Sequence, residues 1–261
     1  MSTPDPVAPA PDLSRIRVVL VGTQHPGNIG SAARAMLTMG LTDLMLVAPE
    51  RYPHPQARSM ASGALAVLEA ARVCASLEEA VADCAWVVGT SARPRHLGDE
   101  PLMPAAFAAR ALALPAAARC ALVFGCERTG LSNEHLDRCH AVTFVPTNPD
   151  YGSLNLAQAV QILAWELRKA ALPDAPRVAA KTALPAHAPP TAEEMEHFYE
   201  HLQRTLLGTG FLDPDNPRLL LRRLRTLFNR ARPDRNELNI LRGILTSVET
   251  PKVRTRRRPV A

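Results

Sequence analysis

"VGTQHPGNIGSAARAMLTMG", Val21 to Gly40, decides how this chain is read. An apolar run, Ile16 to Val21, enters a turn built from Gly22, Pro26, Gly27 and Gly30, and a helix-like stretch leaves it. Strand, glycine turn and helix together can present backbone N–H groups to an anionic or nucleotide-like ligand. Spacing excludes the two familiar versions. A dinucleotide fingerprint needs G-x-G-x-x-G, whereas the glycines here fall at 22, 27 and 30. A P-loop matches at Gly22 and Gly27, but Asn28 stands where a lysine must reach the terminal phosphates, which argues against nucleoside triphosphate hydrolysis. What remains is a tight turn near the carboxyl edge of the first strand, where open α/β sheets bind ligands. It places Asn28 at the helix start and Arg34 one to two turns in; a plain solvent-facing arginine is the alternative for Arg34.

Outward from this stretch, apolar runs recur at Leu44 to Ala48, Trp86 to Gly89, Ala121 to Gly125 and Val142 to Val145. Helix-like segments separate them, one opened by Ser76 and Glu79 at capping-box spacing. Strands alternating with helices predict an α/β fold, a mostly parallel sheet covered on both faces, over residues 15 to 170. Two more strand ends carry polar groups. "LVFGCERTGLSNEHL" (Leu122 to Leu136) delivers Glu127 and Arg128 directly after a strand. "VPTNPDYGSLNLAQAVQILAWEL" (Val145 to Leu167) delivers Ser153 and Asn155 at the start of a long amphipathic helix. Helix capping is the alternative reading of Ser153. Three strand ends supplying Asn28 and Arg34, Glu127, then Ser153 and Asn155 point to one shared site.

Beyond the sheet the pattern changes. Residues 171 to 190 hold five prolines and no periodicity, which reads as a semi-rigid linker. Thr191 with Glu194 and Asp234 with Glu237 are two further capping boxes, and Leu219 to Phe228 lies between, so residues 191 to 250 predict a small appendage of three helices. Residues 1 to 14 and 251 to 261 read as disordered tails.

Composition narrows the class. The chain has 261 residues, 47% of them hydrophobic, enough to bury a substantial core. Its five cysteines form no C-x-x-C pair and no zinc-like cluster with histidine, which fits reduced buried thiols and no metal site. No stretch of about 18 apolar residues occurs, so no membrane span is expected. Charge is segregated: residues 217 to 261 hold 13 Lys/Arg against 3 Asp/Glu, while the rest of the chain is net acidic. A basic end on an acidic body suits a polyanion partner, with a solvated tail as the alternative.

"NIGSAARAM", "LVFGCERTGLSNE" and "PTNPDYGSLNLAQAVQI", in this order, resemble the three motifs of the SpoU/TrmH branch of the SPOUT RNA methyltransferases. "HFYEHLQRTLLGTGFL" and "LRRLRTLFNRARPDRNELNILRGIL" resemble the C-terminal extension of those members of the branch that methylate the ribose 2′-oxygen at tRNA position 32. The resemblance spans roughly residues 15 to 250. It implies a trefoil knot late in the sheet domain, S-adenosylmethionine as cofactor, tRNA as partner, a homodimer and a cytoplasmic location. By matching positions, the cofactor loops are Thr90, Ser91 and Ala92, Gly125, Val145, and Gly152, Ser153 and Leu154; the catalytic set is Arg34, Glu127, Ser153 and Asn155, with Asn28. Cys126 departs from the pattern, standing where many relatives carry arginine, and Arg128 and Arg93 are the nearby guanidiniums that could replace its phosphate contact.

Such a transfer needs a positioned sulfonium, an aligned oxygen and an exit for a proton, but no metal. Arg34 is then expected to stabilise charge on the 2′-oxygen or clamp a phosphate, being too weak an acid to serve as a base. Glu127 is expected to align Arg34 or a neighbouring helix. Ser153 and Asn155 would orient backbone and ribose groups. Methylation of another RNA, and an RNA-binding protein that keeps the fold without catalysis, are the rival readings.

Overall fold

The computed structural model describes residues 12–92, 101–172, 188–215 and 219–250. Six strands form one parallel sheet: β1 (Ile16–Val21), β2 (Asp43–Val47), β3 (Arg72–Cys74), β4 (Cys84–Thr90), β5 (Arg119–Phe124) and β6 (Ala141–Thr143), in the order β3-β2-β1-β5-β4-β6. All six residues of β1 are buried, as a parallel strand covered on both faces requires. Alternation divides them: Val18 and Leu20 join the larger core, Val19 and Val21 the smaller one on the opposite face. β3 escaped the sequence reading because it is three residues long, two of them exposed.

Helices α1 (Pro26–Thr38), α2 (Pro55–Ala61), α3 (Leu65–Glu69), α4 (Leu77–Val81), α5 (Pro104–Leu112), α6 (Asn133–Asp137) and α7 (Leu156–Ala171) complete the layers. The larger core lies between the sheet and α1, α5 and α7, where Ile29, Met36, Phe107, Val160 and Leu163 are almost wholly enclosed. A Cβ on Gly30 would stand 2.0 Å from the Ala57 carbonyl oxygen, so glycine is what lets α1 cross α2 backbone to backbone. The expected capping box at Ser76 is only half formed. Its hydroxyl accepts the Glu79 N–H, but the Glu79 carboxylate takes the N–H of Ala75.

Three further helices follow, α8 (Ala192–Gly208), α9 (Leu220–Ala231) and α10 (Arg235–Glu249), and the boxes at Thr191/Glu194 and Asp234/Glu237 are complete. Their own core gathers Met195, Phe198, Leu202 and Leu238, with Phe198 edge-on to Phe228 at 4.8 Å. The Glu193 N–H donates to the Ala82 carbonyl, which docks α8 against the end of α4.

Most of the proline-rich linker and the final tail lie outside the described residues. The expected N-terminal tail does so only to residue 11. Asp12 accepts the Ser14 N–H, and Leu13 begins a 3₁₀ turn with its side chain in the larger core, so residues 12 to 14 are part of the fold, which the proline content did not suggest. Among the described residues no helix is long and apolar enough to cross a membrane, and all five cysteines are free.

Candidate active site

Strand order reverses direction between β1 and β5: the chain runs outward from β1 to β3, then returns to place β5 on the other side of β1. Two loops leave that switch point side by side, which is where open sheets bind ligands. After β1, Gly22 takes a φ of +62° and redirects the chain into α1. After β5, Gly125 starts a turn so tight that a Cβ on it would lie 2.0 Å from the Gly130 backbone. A side chain at Gly125 would force its turn apart, and one at Gly22 would have to take up a left-handed backbone that favours glycine.

Glu127 ties these loops together. Its carboxylate accepts the N–H groups of Gln24 at 3.0 Å and His25 at 3.1 Å, and the Asn28 side-chain amide at 2.8 Å. Burial opposes ionisation of Glu127, but these donors outweigh it and hold the group below the usual carboxylate range. It is an anion whose two oxygens are already engaged, so it anchors and does not take protons. The Asn28 carbonyl oxygen in turn accepts the Asn155 amide at 3.0 Å. Asn155 also caps α7, accepting the Ala157 N–H at 2.9 Å, and its own backbone N–H donates to the Gln158 side-chain oxygen at 3.2 Å to close the box. One hydrogen-bonded chain, Glu127 to Asn28 to Asn155, therefore joins residues about a hundred positions apart.

Arg34 sits in the third turn of α1, exposed, with no hydrogen bond or ion pair to any described residue. It shares an open groove with Ser31, Asn155, Gln158 and Gln161. Alignment of Arg34 by Glu127, one of the two expectations above, is not what is found. The carboxylate holds the start of α1, and Arg34 projects from the same helix toward Asn155. Ser153 is not the cap of α7, since Asn155 is; its exposed hydroxyl makes no hydrogen bond among the described residues. Gln24, His25 and Gln158 were not singled out from the sequence. Two contribute backbone N–H groups, which carry no side-chain signature.

The expected cofactor loops converge at one end of the sheet because β5, β4 and β6 are neighbours there. The Thr90 hydroxyl donates to the Val123 carbonyl at 3.0 Å, and the Ser91 N–H to the Thr143 carbonyl at 3.1 Å. Ala92 is exposed, and Val145 and Leu154 are half-buried. Thr147 closes the last turn by donating to the Gly152 carbonyl at 3.0 Å. These turns offer backbone polar groups and apolar side chains, and none of the named residues is charged. That donor set fits a nucleoside better than a polyphosphate.

Cys126 is half-buried, with its sulfur 3.0 Å from the Thr129 hydroxyl. Burial raises the thiol's pKa, but the Thr129 hydroxyl and the N–H groups of Thr129 and Arg128 outweigh it, for a net lowering. The side chain closes its own turn and supplies no cation. Arg128 is exposed next to it, and Arg93 lies outside the described residues.

An open parallel sheet whose switch point carries an asparagine–glutamate chain and an unpaired arginine defines the class: residues 15–165 match the SpoU rRNA Methylase family. Residues 193–259 match the C-terminal domain of the tRNA methyltransferase TrmJ. The chain belongs to the SpoU methylase family and, within it, to the TrmJ group. It is 51% identical to the tRNA (cytidine/uridine/adenosine-2′-O-)-methyltransferase TrmJ of Pseudomonas aeruginosa (strain UCBPP-PA14), across 92% of this chain and 95% of that protein. Identity is 49% to the tRNA (cytidine/uridine-2′-O-)-methyltransferase TrmJ of Klebsiella pneumoniae, across 91% and 97%. The crystal structure of TrmJ from Z. mobilis ZM4 superposes with a TM-score of 0.77 at 36% identity, covering 89% of this chain and 98% of that one.

Proposed function

We propose that this protein methylates the ribose 2′-hydroxyl of cytidine or uridine in tRNA, at position 32 of the anticodon loop, using S-adenosylmethionine as a homodimer in the cytoplasm. The observation that carries the reading is the arrangement at the switch point. Glu127 and Asn28 are wholly committed to building the site, and Arg34 is left with its charge unspent beside them.

When bound, S-adenosylmethionine supplies an electrophilic methyl group on a positively charged sulfur. The turns at Thr90 to Ala92, at Gly125, and from Val145 through Gly152 to Leu154 would hold it through backbone groups and apolar contact. Positioning is the main demand, and in favourable cases it lowers a barrier by about 7–11 kcal/mol. Glu127 meets it by locking the β1 turn to the β5 turn, and Asn28 by extending that lock to α7. The Arg34 guanidinium stabilises the oxygen as its charge develops, or grips the adjoining phosphate. Ser153, with its hydroxyl unspent, faces the same helix start and orients the ribose.

The fold supports the rest of the reading. β6 joins the far edge of the sheet, yet α7, the next element, returns to pack on α1 and α5. Residues 144 to 155 must therefore cross back over the ends of β4 and β5, the path that a trefoil knot would take. We place the methyltransferase unit at 15–170 and the RNA-recognising appendage at 191–250, joined by the linker 171–190. Incubation of the purified protein with S-adenosylmethionine and unmodified tRNA, followed by mapping of 2′-O-methylated nucleotides, tests this. A single methylated ribose at position 32 is the expected product. Methylation confined to ribosomal RNA, or none, would replace the reading.

A further inference from the structure

A second cavity lies on the seam between α9 and the edge strand β6, built from different residues than the switch-point site. Its volume is about 80 Å³, room for several water molecules. Five of its lining residues are arginines: Arg110 from α5, Arg222, Arg225 and Arg230 from α9, and Arg232 just beyond it. Asp137 is the one carboxylate among the lining residues.

Arg222 crosses the seam, and Arg225 fastens α9 to α8. Arg222 donates to Asp137 at 2.8 Å. Arg225 clasps both oxygens of Glu196 and lies over the Tyr199 ring, 4.2 Å from its centre. Arg110 covers the Trp86 ring at 4.5 Å. Arg230, exposed at the mouth, has no hydrogen bond or ion pair among the described residues. The wall adds a neutral donor: His140 Nδ1 accepts the Val87 N–H at 3.1 Å, which leaves the ring proton on Nε2. Burial first, then the charges of Arg110, Arg225 and Arg232, against the opposing effect of Glu196, push this imidazole down to about 4. The cavity thus gathers five guanidiniums, two of them held by Asp137 and Glu196, beside a neutral imidazole, and its single carboxylate is already matched. Planar forks suit a tetrahedral oxyanion.

We propose that this seam binds a backbone phosphate of the RNA substrate, so that the sheet and the helical appendage grip one strand through a shared site. An RNA phosphate is the fitting anion because α9, which forms one wall of the cavity, lies in the most basic stretch of the sequence, residues 217 to 261. α9 also carries Arg223, exposed and unpaired among the described residues. The assignment rests on RNA being the substrate.

Binding of tRNA to the full-length protein, measured by fluorescence anisotropy across a salt series, tests it with Arg230→Gln, Arg232→Gln and Arg230→Lys. Each glutamine variant should weaken binding roughly fivefold and lower the slope of log affinity against log salt by about 1, and Arg230→Lys should restore the slope. Unchanged thermal midpoints and S-adenosylmethionine affinity would exclude a general loss of structure. If the native protein methylates tRNA but the glutamine variants keep native affinity and slope, the seam is not a phosphate site. Weaker binding with an unchanged slope would overturn it as well. Should the native protein neither bind nor methylate tRNA, the functional reading itself fails and the site falls with it.

Discussion

At the amino-terminal edge of the sheet, Arg17 is a charge inside the otherwise apolar β1, its side chain 2% exposed. It meets Asp43 at 3.0 Å, Asp83 through both terminal nitrogens, and the Ala80 carbonyl at 2.9 Å, while Arg119 bridges the same two carboxylates. At the other end of the same strand, Glu127 is held by N–H donors alone, and the nearby guanidinium of Arg34 has no partner among the described residues. Burial works against the charge of Arg17, but Asp83 and Asp43 outweigh it and raise its pKa, while Arg17 holds the Asp83 carboxyl below its usual range, so the charge of Arg17 is matched within the cluster. The carboxyl edge is different because Glu127 is used to hold the start of α1, which leaves the Arg34 cation for something outside the protein. Matched charge at one edge holds the fold, and unmatched charge at the other is available for chemistry.

Exchanging the two arginines in turn is the sharpest way to break this contrast. Arg34→Ala should cut single-turnover methyl transfer by about 10²–10³-fold, the usual cost of one charge-stabilising donor. Its denaturation midpoint and its calorimetric affinity for S-adenosylmethionine should stay native; loss of cofactor affinity would reassign Arg34 to the cofactor loops. Arg17→Ala should do the reverse, destabilising the fold by about 3 kcal/mol in urea melts because two carboxylates lose their buried partner. The folded fraction should retain native turnover. A slower folded enzyme would mean the two edges are coupled.

Glu127→Gln sharpens the comparison from the other side. An amide there keeps one acceptor oxygen but puts a donor against the N–H groups of Gln24 and His25 and the amide of Asn28. Activity should fall about tenfold, with a stability loss of about 1–2 kcal/mol for hydrogen bonds to a charged group. Native activity in this variant would show that the loops hold their shape without the carboxylate. The smallest effect concerns pH. Unfolded histidine takes its proton near 6.5, whereas folded His140 takes one only at about 4. Between those values the unfolded chain binds more protons, so the contribution of His140 is complete above about pH 6.5 and declines as pH falls toward 4. His140→Asn, whose carbonyl can still accept the Val87 N–H, should flatten the drop in thermal midpoint between those limits; an unaltered drop would assign it to other groups.

Much of this was legible along the chain. Apolar runs of four to six residues, each ending in glycine or a polar turn, located five of six strands, because a strand buried on both faces is apolar at nearly every position. The boxes at Thr191 and Asp234 placed the starts of α8 and α10, since capping is local chemistry within one turn. Asn28, Glu127 and Asn155 could be picked out as strand-end polar groups, and they do meet. Their bonding could not be read. Glu127 was as compatible with Arg34 as with the start of α1, and Ser153 was as good a cap as Asn155, because such choices depend on angstrom-scale placement between segments 99 and 127 positions apart. Arg17 gave no signal at all, since a lone arginine in an apolar run is explained only by Asp43 and Asp83 converging on it. Short-range patterns dictate which segments become strands, turns and helices. Which charge is satisfied and which is left over is set when distant segments pack, and that difference separates a structural arginine from a functional one.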